Sequence, residues 1–192
     1  LTTAQASSLG TAQLAALSAI QIKGLTTTDL GALSSDQVLA ITTTAIASLS
    51  SAQVAGLTTN QAANLATSQV AVLAAIQVKG FENADLITLG SAQLRSMAVS
   101  AIASLTTSQF AAMGTAQLNA LTTTQIAGLA AAQIGALTSD QLNNLSTTQF
   151  RALVAAQVAA LTTSQATSIS TSQLASMTAD QARALSLSLI HI

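Results

Sequence analysis

The chain has 192 residues, enough for a sizeable core, and is 50% hydrophobic but only 6% charged, with a net charge of −1. Ordinary domains carry about 25% charged residues, so this surface must be built from Ser, Thr, Gln, Asn and Ala. The absence of Cys excludes disulfides and thiolate metal sites. The near-zero charge argues against nucleic acid, whose phosphates are bound by Lys and Arg. Ser, Thr or Gln interrupts every apolar run well short of the roughly 18 residues that mark a membrane span.

Cut every eight residues from Leu1, the chain falls into 24 octads without insertion or deletion. Position one is always large and apolar: Leu in most octads, with Ile41, Phe81, Met97, Met113, Ile169 and Met177 as variants. Position six is also apolar, as in Leu14, Ile22, Val38, Phe110 and Ile134, falling to Ala at Ala6, Ala62, Ala166 and Ala182. Position five is Gln in 19 of 24 octads, and position two is Ser or Thr in 15 of 24. One unbroken helix cannot keep such anchors on one face, because eight residues rotate by about 800°, a drift of about 80° per octad. A simple strand fails as well, since anchor spacings of five and three point successive side chains to opposite faces.

The pattern fits one short helix per octad. With the N-cap at position two, Gln at position five is the N3 residue and S/T-x-x-Q is a capping box. The apolar residues at positions one and six are then N′ and N4, a hydrophobic staple. Asp36, Asp140 and Asp180 stand at position four, in the first turn, where the helix dipole favours a carboxylate. Helices this short are unstable alone in water, so neighbours must stack their anchors into a shared spine.

Along the chain the departures from this scheme recur at a longer interval. The stretch IQIKG at 20–24 returns as IQVKG at 76–80, Asp29 as Asp85, Ala45 as Ala101, and Arg95 as Arg151. All are 56 residues, or seven octads, apart, which points to growth by block duplication. The octads beginning at 73, 97, 129 and 153 have Ala74, Ala98, Ala130 and Val154 where the cap should be. There the preceding helix is expected to run through into a two-octad helix. The competing fold is a β-solenoid with Thr and Gln ladders, because Thr and Val favour strands. High Ala content, the missing period-two alternation and the capping box argue against it.

Groups able to do chemistry are few. The only histidine is His191, and a Ser nucleophile needs an adjacent base, so the Ser and Thr read as caps and surface. Glu82 and Asp85, in FENAD, could form a carboxylate pair for a metal or acid–base role; the alternative is a decorated helix start, with Glu82 replacing the cap and Asp85 the Gln. Lys23 with Asp29, and Lys79 with Asp85, read as exposed contacts between adjacent helices, and Arg95 and Arg151 as solvated cations. The sequence has no Ca²⁺ loop, no phosphate-cradling glycine loop, and nine Gly placed mostly where helices meet. No catalytic, cofactor-binding or metal-binding residues are assigned.

The octads resemble the low-complexity L-T-T-x-Q-[ILV]-x-[AG] arrays of very large secreted or surface-exposed bacterial proteins called adhesin-like or haemolysin-like. That resemblance covers essentially the whole chain. The phrase L-[TS]-x-x-Q-[LIV]-x-x-[LI] is also similar to the short-helix superhelical repeats of the mesothelin and stereocilin group. LSSDQVLAI at 33–41 looks like the first helix of a TAL-effector repeat, but here the period is eight rather than thirty-odd and the basic residues are missing. The last six residues, LSLIHI at 187–192, resemble the translation of a sequencing-library adapter. The chain does not begin with Met, and the reading is of a metagenomic fragment that ran into its adapter, which would make His191 foreign.

These observations predict an all-α, elongated superhelical solenoid of short capped helices: one domain over 1–186, with 187–192 an artefact. The expected role is non-enzymatic, a spacer or stalk segment of a large bacterial surface or secreted protein. Its partners would be other segments of that protein, with no cofactor, no nucleic acid and no membrane span. A protein- or glycan-binding scaffold is the first alternative and a Thr-rich ice-binding array the second. The ice-binding reading needs a regular Thr grid, which Ser, Ala and Asp interrupt at positions two to four.

Overall fold

The computed structural model describes the backbone of residues 2–190 and the side chains of residues 2–185. Among them are 23 helices and no strand, from Thr3–Ser7 to Ala179–Ile190. The fold is an all-α solenoid, and the β-solenoid alternative falls away. One helix starts at the third position of each octad but the last, as the capping box requires. At Thr122 the hydroxyl accepts from Gln125 N at 3.1 Å, while Gln125 Oε1 accepts from Thr122 N at 2.9 Å. The cap residue itself is extended, with φ −72° and ψ 159°. No described residue has a positive φ, so the chain turns each corner without a left-handed residue.

Within each of two units, successive helices do not stack on one another; a helix stacks on the third along. Thr3–Ser7 packs on Thr27–Gly31, Ala19–Lys23 on Thr43–Ile46, and Ala131–Gly135 on Ala155–Ala159. One turn of the solenoid is therefore three octads. The staple positions line its interior: Leu33, Leu49, Leu73 and Leu121 at position one are buried, as are Leu30, Val54, Leu94 and Ile134 at position six. Phe81, Phe110 and Phe150 take the same two positions and are fully enclosed. Each buried Leu, Ile, Val or Phe side chain adds about 1.5–3 kcal/mol, which gives helices of four to six residues the stability they lack in isolation. These contacts gather into two compact units, Leu1–Leu105 and Thr106–Ile192, each built in this way.

Turns lie close together at the corners, where position eight of one octad meets position three of the octad one turn back. A Cβ added to Gly56 would come within 2.6 Å of Thr27 Cβ, and one added to Gly80 would collide with the Ser51 carbonyl. Glycine is used there for close approach rather than for an unusual φ.

The expected run-through at uncapped octads does not occur. Helices start afresh after Ala74, Ala98, Ala130 and Val154, each of which is extended. The half of the box supplied by Gln survives without a Ser or Thr: Ala74 N, Ala130 N and Val154 N donate to Gln77, Gln133 and Gln157 Oε1 at 2.7, 2.9 and 2.8 Å. At Ala98 even that is missing, because Ala101 stands in place of Gln. There Met97 and Ile102, 3% and 0% exposed, hold the break through the spine alone. The one helix that does cross an octad boundary is the last, Ala179–Ile190, which runs through Leu185. Leu189 stands in the Gln position of that octad and brings no amide oxygen. His191, and with it part of the 187–192 segment read as adapter-derived, lies outside the described residues.

Candidate functional site

The most regular polar feature of the molecule is a ladder of buried glutamines. Each position-five Gln caps its own helix through Oε1. Within each unit, beyond its first turn, Nε2 reaches across to the preceding turn, to the corner where one helix ends and the next begins. Gln61 Nε2 donates to the carbonyls of Leu30 and Leu33 at 2.8 and 2.6 Å. Gln77 does the same to Ile46 and Leu49 at 3.0 and 2.8 Å, and Gln165 to Ile134 and Leu137 at 2.9 and 2.6 Å. The acceptors lie 31 and 28 residues earlier, at positions six and one, except that Gln37 and Gln141 use the position-seven carbonyls of Ser7 and Ala111, 30 residues earlier, with the position-one carbonyls of Leu9 and Met113. The Leu30 carbonyl also accepts from Leu33 N at 3.2 Å, so the two donors together fill its two lone pairs. Gln61, Gln69, Gln77 and Gln157 are at most 2% exposed, and no buried described side chain is left without a hydrogen-bond partner.

The departures from Gln are compensated or explained. In the two Ala octads a serine at position eight takes over: Ser48 Oγ donates to the Ala19 carbonyl at 3.1 Å and Ser104 Oγ to the Ala75 carbonyl at 2.9 Å. In the two Asp octads the carboxylate performs only the capping half. Asp29 Oδ2 accepts from Thr26 N at 3.0 Å and Thr26 Oγ1 at 2.7 Å. The Thr26 hydroxyl and then the Thr26 N–H hold the Asp29 carboxyl below its ordinary pKa, with the Thr3 hydroxyl adding to the effect. Asp85 Oδ2 accepts from Glu82 N at 3.1 Å.

FENAD is thus a helix start: Asp85, 3% exposed, sits in the Gln position and Glu82, exposed, in the cap position. Lys23 and Asp29 do not form the exposed contact expected of them. Asp29 is 4% exposed and turned onto Thr26, while Lys23 is exposed at the end of its helix. Arg95 and Arg151 are both exposed. Arg183 pairs with Asp180 at 2.7 Å on the surface, a contact worth under about 1 kcal/mol. No group of three His, Cys, Asp or Glu lies together among the described residues, and no described helix is long and apolar enough to cross a membrane. An open cleft of about 620 Å³ lies between two turns, with Lys23, Thr26, Thr27, Ser48 and Ser50 around Leu25 and Leu49.

The octad register that generates this ladder, Ala at position eight followed by Leu-Thr-Thr-x-Gln, is the pattern of a described repeat. The model of the ALTTAQ repeat matches residues 7–43, 78–115 and 110–147, more than half of the chain. The chain belongs to the ALTTAQ repeat family. No curated protein and no solved structure matches it. The ALTTAQ hexapeptide joins a small corner residue, the spine Leu, the cap and the ladder Gln, so the family's description and the structural unit coincide.

What sequence reasoning missed is the second arm of the ALTTAQ glutamine. A signal for it was present. A capping box accepts Glu as readily as Gln, yet position five is Gln in 19 octads and Glu in none. Only the amide supplies both an acceptor for the cap and donors for the neighbouring turn.

Proposed function

We propose that this ALTTAQ array is a non-enzymatic structural segment, a spacer or stalk within a large surface-exposed or secreted bacterial protein of adhesin-like character. The observation that carries this reading is where the polar groups of the repeat go. The cap hydroxyls are spent on helix starts and the ladder amides on caps and neighbouring turns. A repeat whose recurring side chains are all consumed by its own backbone supplies length and rigidity. It also needs neither cofactor nor metal, and the partners this reading requires are the flanking segments of the same polypeptide. The test is made in the full-length protein on its cell. Replacing residues 49–120 by an equal number of consensus ALTTAQ octads should leave adhesion unchanged, whereas deleting them should shorten reach and reduce adhesion. If the consensus replacement abolishes adhesion, the array carries specificity and the spacer reading fails.

A second reading, a scaffold that binds a glycan or protein, is favoured by the cleft around Lys23. Its hydroxyls, single ammonium group and apolar floor of Leu25 and Leu49 suit an acidic sugar. Binding of acidic oligosaccharides that is lost in Lys23→Ala and Thr27→Ala would favour it over the spacer.

A further inference from the structure

Within residues 1–105 the joints between turns are not alike. Gln53, Gln61 and Gln69 bind 49–72 to the turn before. Beside the Gln61 contacts, Gln53 Nε2 donates to the Ile22 and Leu25 carbonyls at 3.0 and 2.8 Å, and Gln69 Nε2 to those of Val38 and Ile41 at 3.0 and 2.8 Å. In 81–104 the same three places hold Asp85, Gln93 and Ala101. Gln93 Nε2 donates to the Ala62 and Leu65 carbonyls at 3.2 and 2.7 Å, but neither Asp85 nor Ala101 has a side-chain N–H to give. Their corners are the carbonyl pairs of Val54 with Leu57 and of Val70 with Leu73. Among the described residues no group donates to the Leu57 or Leu73 carbonyl, although these residues are 6% and 3% exposed. Ser104 Oγ returns one bond, to the Ala75 carbonyl at 2.9 Å.

The apolar spine runs through this joint unthinned, with Leu86, Leu94 and Ile102 fully buried. A turn held by three glutamines loses all their amide bonds when it parts from its neighbour. Here parting breaks the bonds of Gln93 and Ser104, and it lets water reach two carbonyls that the closed joint leaves without a donor, which offsets part of the cost. The arrangement is duplicated: Asp29, Gln37, Ala45 and Ser48 stand 56 residues before Asp85, Gln93, Ala101 and Ser104. We propose that the joint between 81–104 and the turn before it is a built-in yield point, which opens locally and closes again while the fully laddered turn stays shut. Its use in a stalk, lengthening under load before the laddered turns give way, rests on the spacer reading. The joint itself does not: it is tested on the isolated chain and the spacer on the cell, so the two fail separately.

The chain has no Cys, so a single introduced thiol reports local opening by its rate of labelling under native conditions. Val54→Cys and Val78→Cys are a matched pair, both at position six and both 0% exposed. The octad of Val54 is joined to its two neighbours through Gln53 and Gln77; that of Val78 is joined through Gln77 on one side and meets Ala101 on the other. The Val78→Cys thiol should label faster by about tenfold, given what lost hydrogen bonds are worth. Asp85→Gln with Ala101→Gln restores the missing amides, and the Gln93 octad with Ser96 shows that a glutamine and a position-eight serine fit together. This double change should slow Val78→Cys to the rate of Val54→Cys and leave Val54→Cys unchanged. If the double variant loses its helical circular dichroism spectrum, Ala101→Gln alone makes the same test at the Val78 joint. Equal rates for the two thiols, or a Val78→Cys rate that the restored amide does not slow, would overturn the proposal.

Discussion

Position five carries the argument at the residue scale. Its amide does two jobs on opposite sides, so substitutions that spare one job and remove the other separate them. In Gln61→Glu the cap acceptor remains, but two carbonyls lose their donor and a carboxylate is buried facing them. The expected loss is about 3 kcal/mol, read as a lower urea midpoint. Removing the other half of the same box with Thr58→Ala should cost only about 1 kcal/mol; equal losses would mean that the Nε2 arm contributes nothing. Asp85→Gln should act in the opposite direction. Asp85 has no N–H to offer, so the carbonyls of Val54 and Leu57, 31 and 28 residues earlier, receive no donor from it. Supplying the amide should stabilise the chain by about 1 kcal/mol, and a destabilised variant would contradict the ladder rule. Asp29 sets a pH dependence. Its folded pKa lies below its unfolded value because the Thr26 hydroxyl and N–H bind the carboxylate. Its contribution to stability is therefore present above about pH 4, the unfolded carboxyl value, and is lost as pH falls through the folded pKa. Asp29→Asn should flatten that part of the profile in urea titrations at pH 6 and pH 2.5.

The unit of construction at the element scale is the octad. Because every octad presents the same groups at positions one, two, five and six, removing a whole one re-pairs each later Gln with an equivalent corner. Deleting Leu137–Asn144 should lower the thermal midpoint modestly, since stability is roughly a sum over units and their interfaces. Deleting only Leu137–Asp140 leaves Gln141 without its cap and moves Leu142 off the spine, and should cost several kcal/mol. Equal losses in the two melts would show that the period has no structural meaning. Most of this element was legible in the sequence. The cap, box and staple offsets fix where each helix starts, and the structure begins helices at those positions. The misjudged octads, at Ala74, Ala98, Ala130 and Val154, were read from cap chemistry alone. Their breaks are enforced by groups outside the cap: the Gln oxygen in three of them, and burial of Met97 and Ile102 in the fourth.

At the scale of the molecule, the chain closes a turn every three octads within each of its two units, a number that no local signal contains. The 56-residue recurrence of Asp29 at Asp85 records duplication by seven octads, which is not a whole number of turns, so it could not reveal the coil. Three per turn follows from packing, since small corner residues such as Gly56 must meet Thr27 one turn back.

The central claim is that, within each unit, ladder glutamines join a turn of the all-α coil to the one before. The most direct measurement is a nuclear Overhauser spectrum of the chain selectively labelled with ¹⁵N-glutamine. The account predicts cross-peaks from the Gln61 side-chain amide protons to Leu30 and Leu33, with slow solvent exchange, while the amides of Gln5 and Gln13 exchange rapidly. Cross-peaks from Gln61 to residues one or two octads away, or rapid exchange at all glutamines alike, would contradict it.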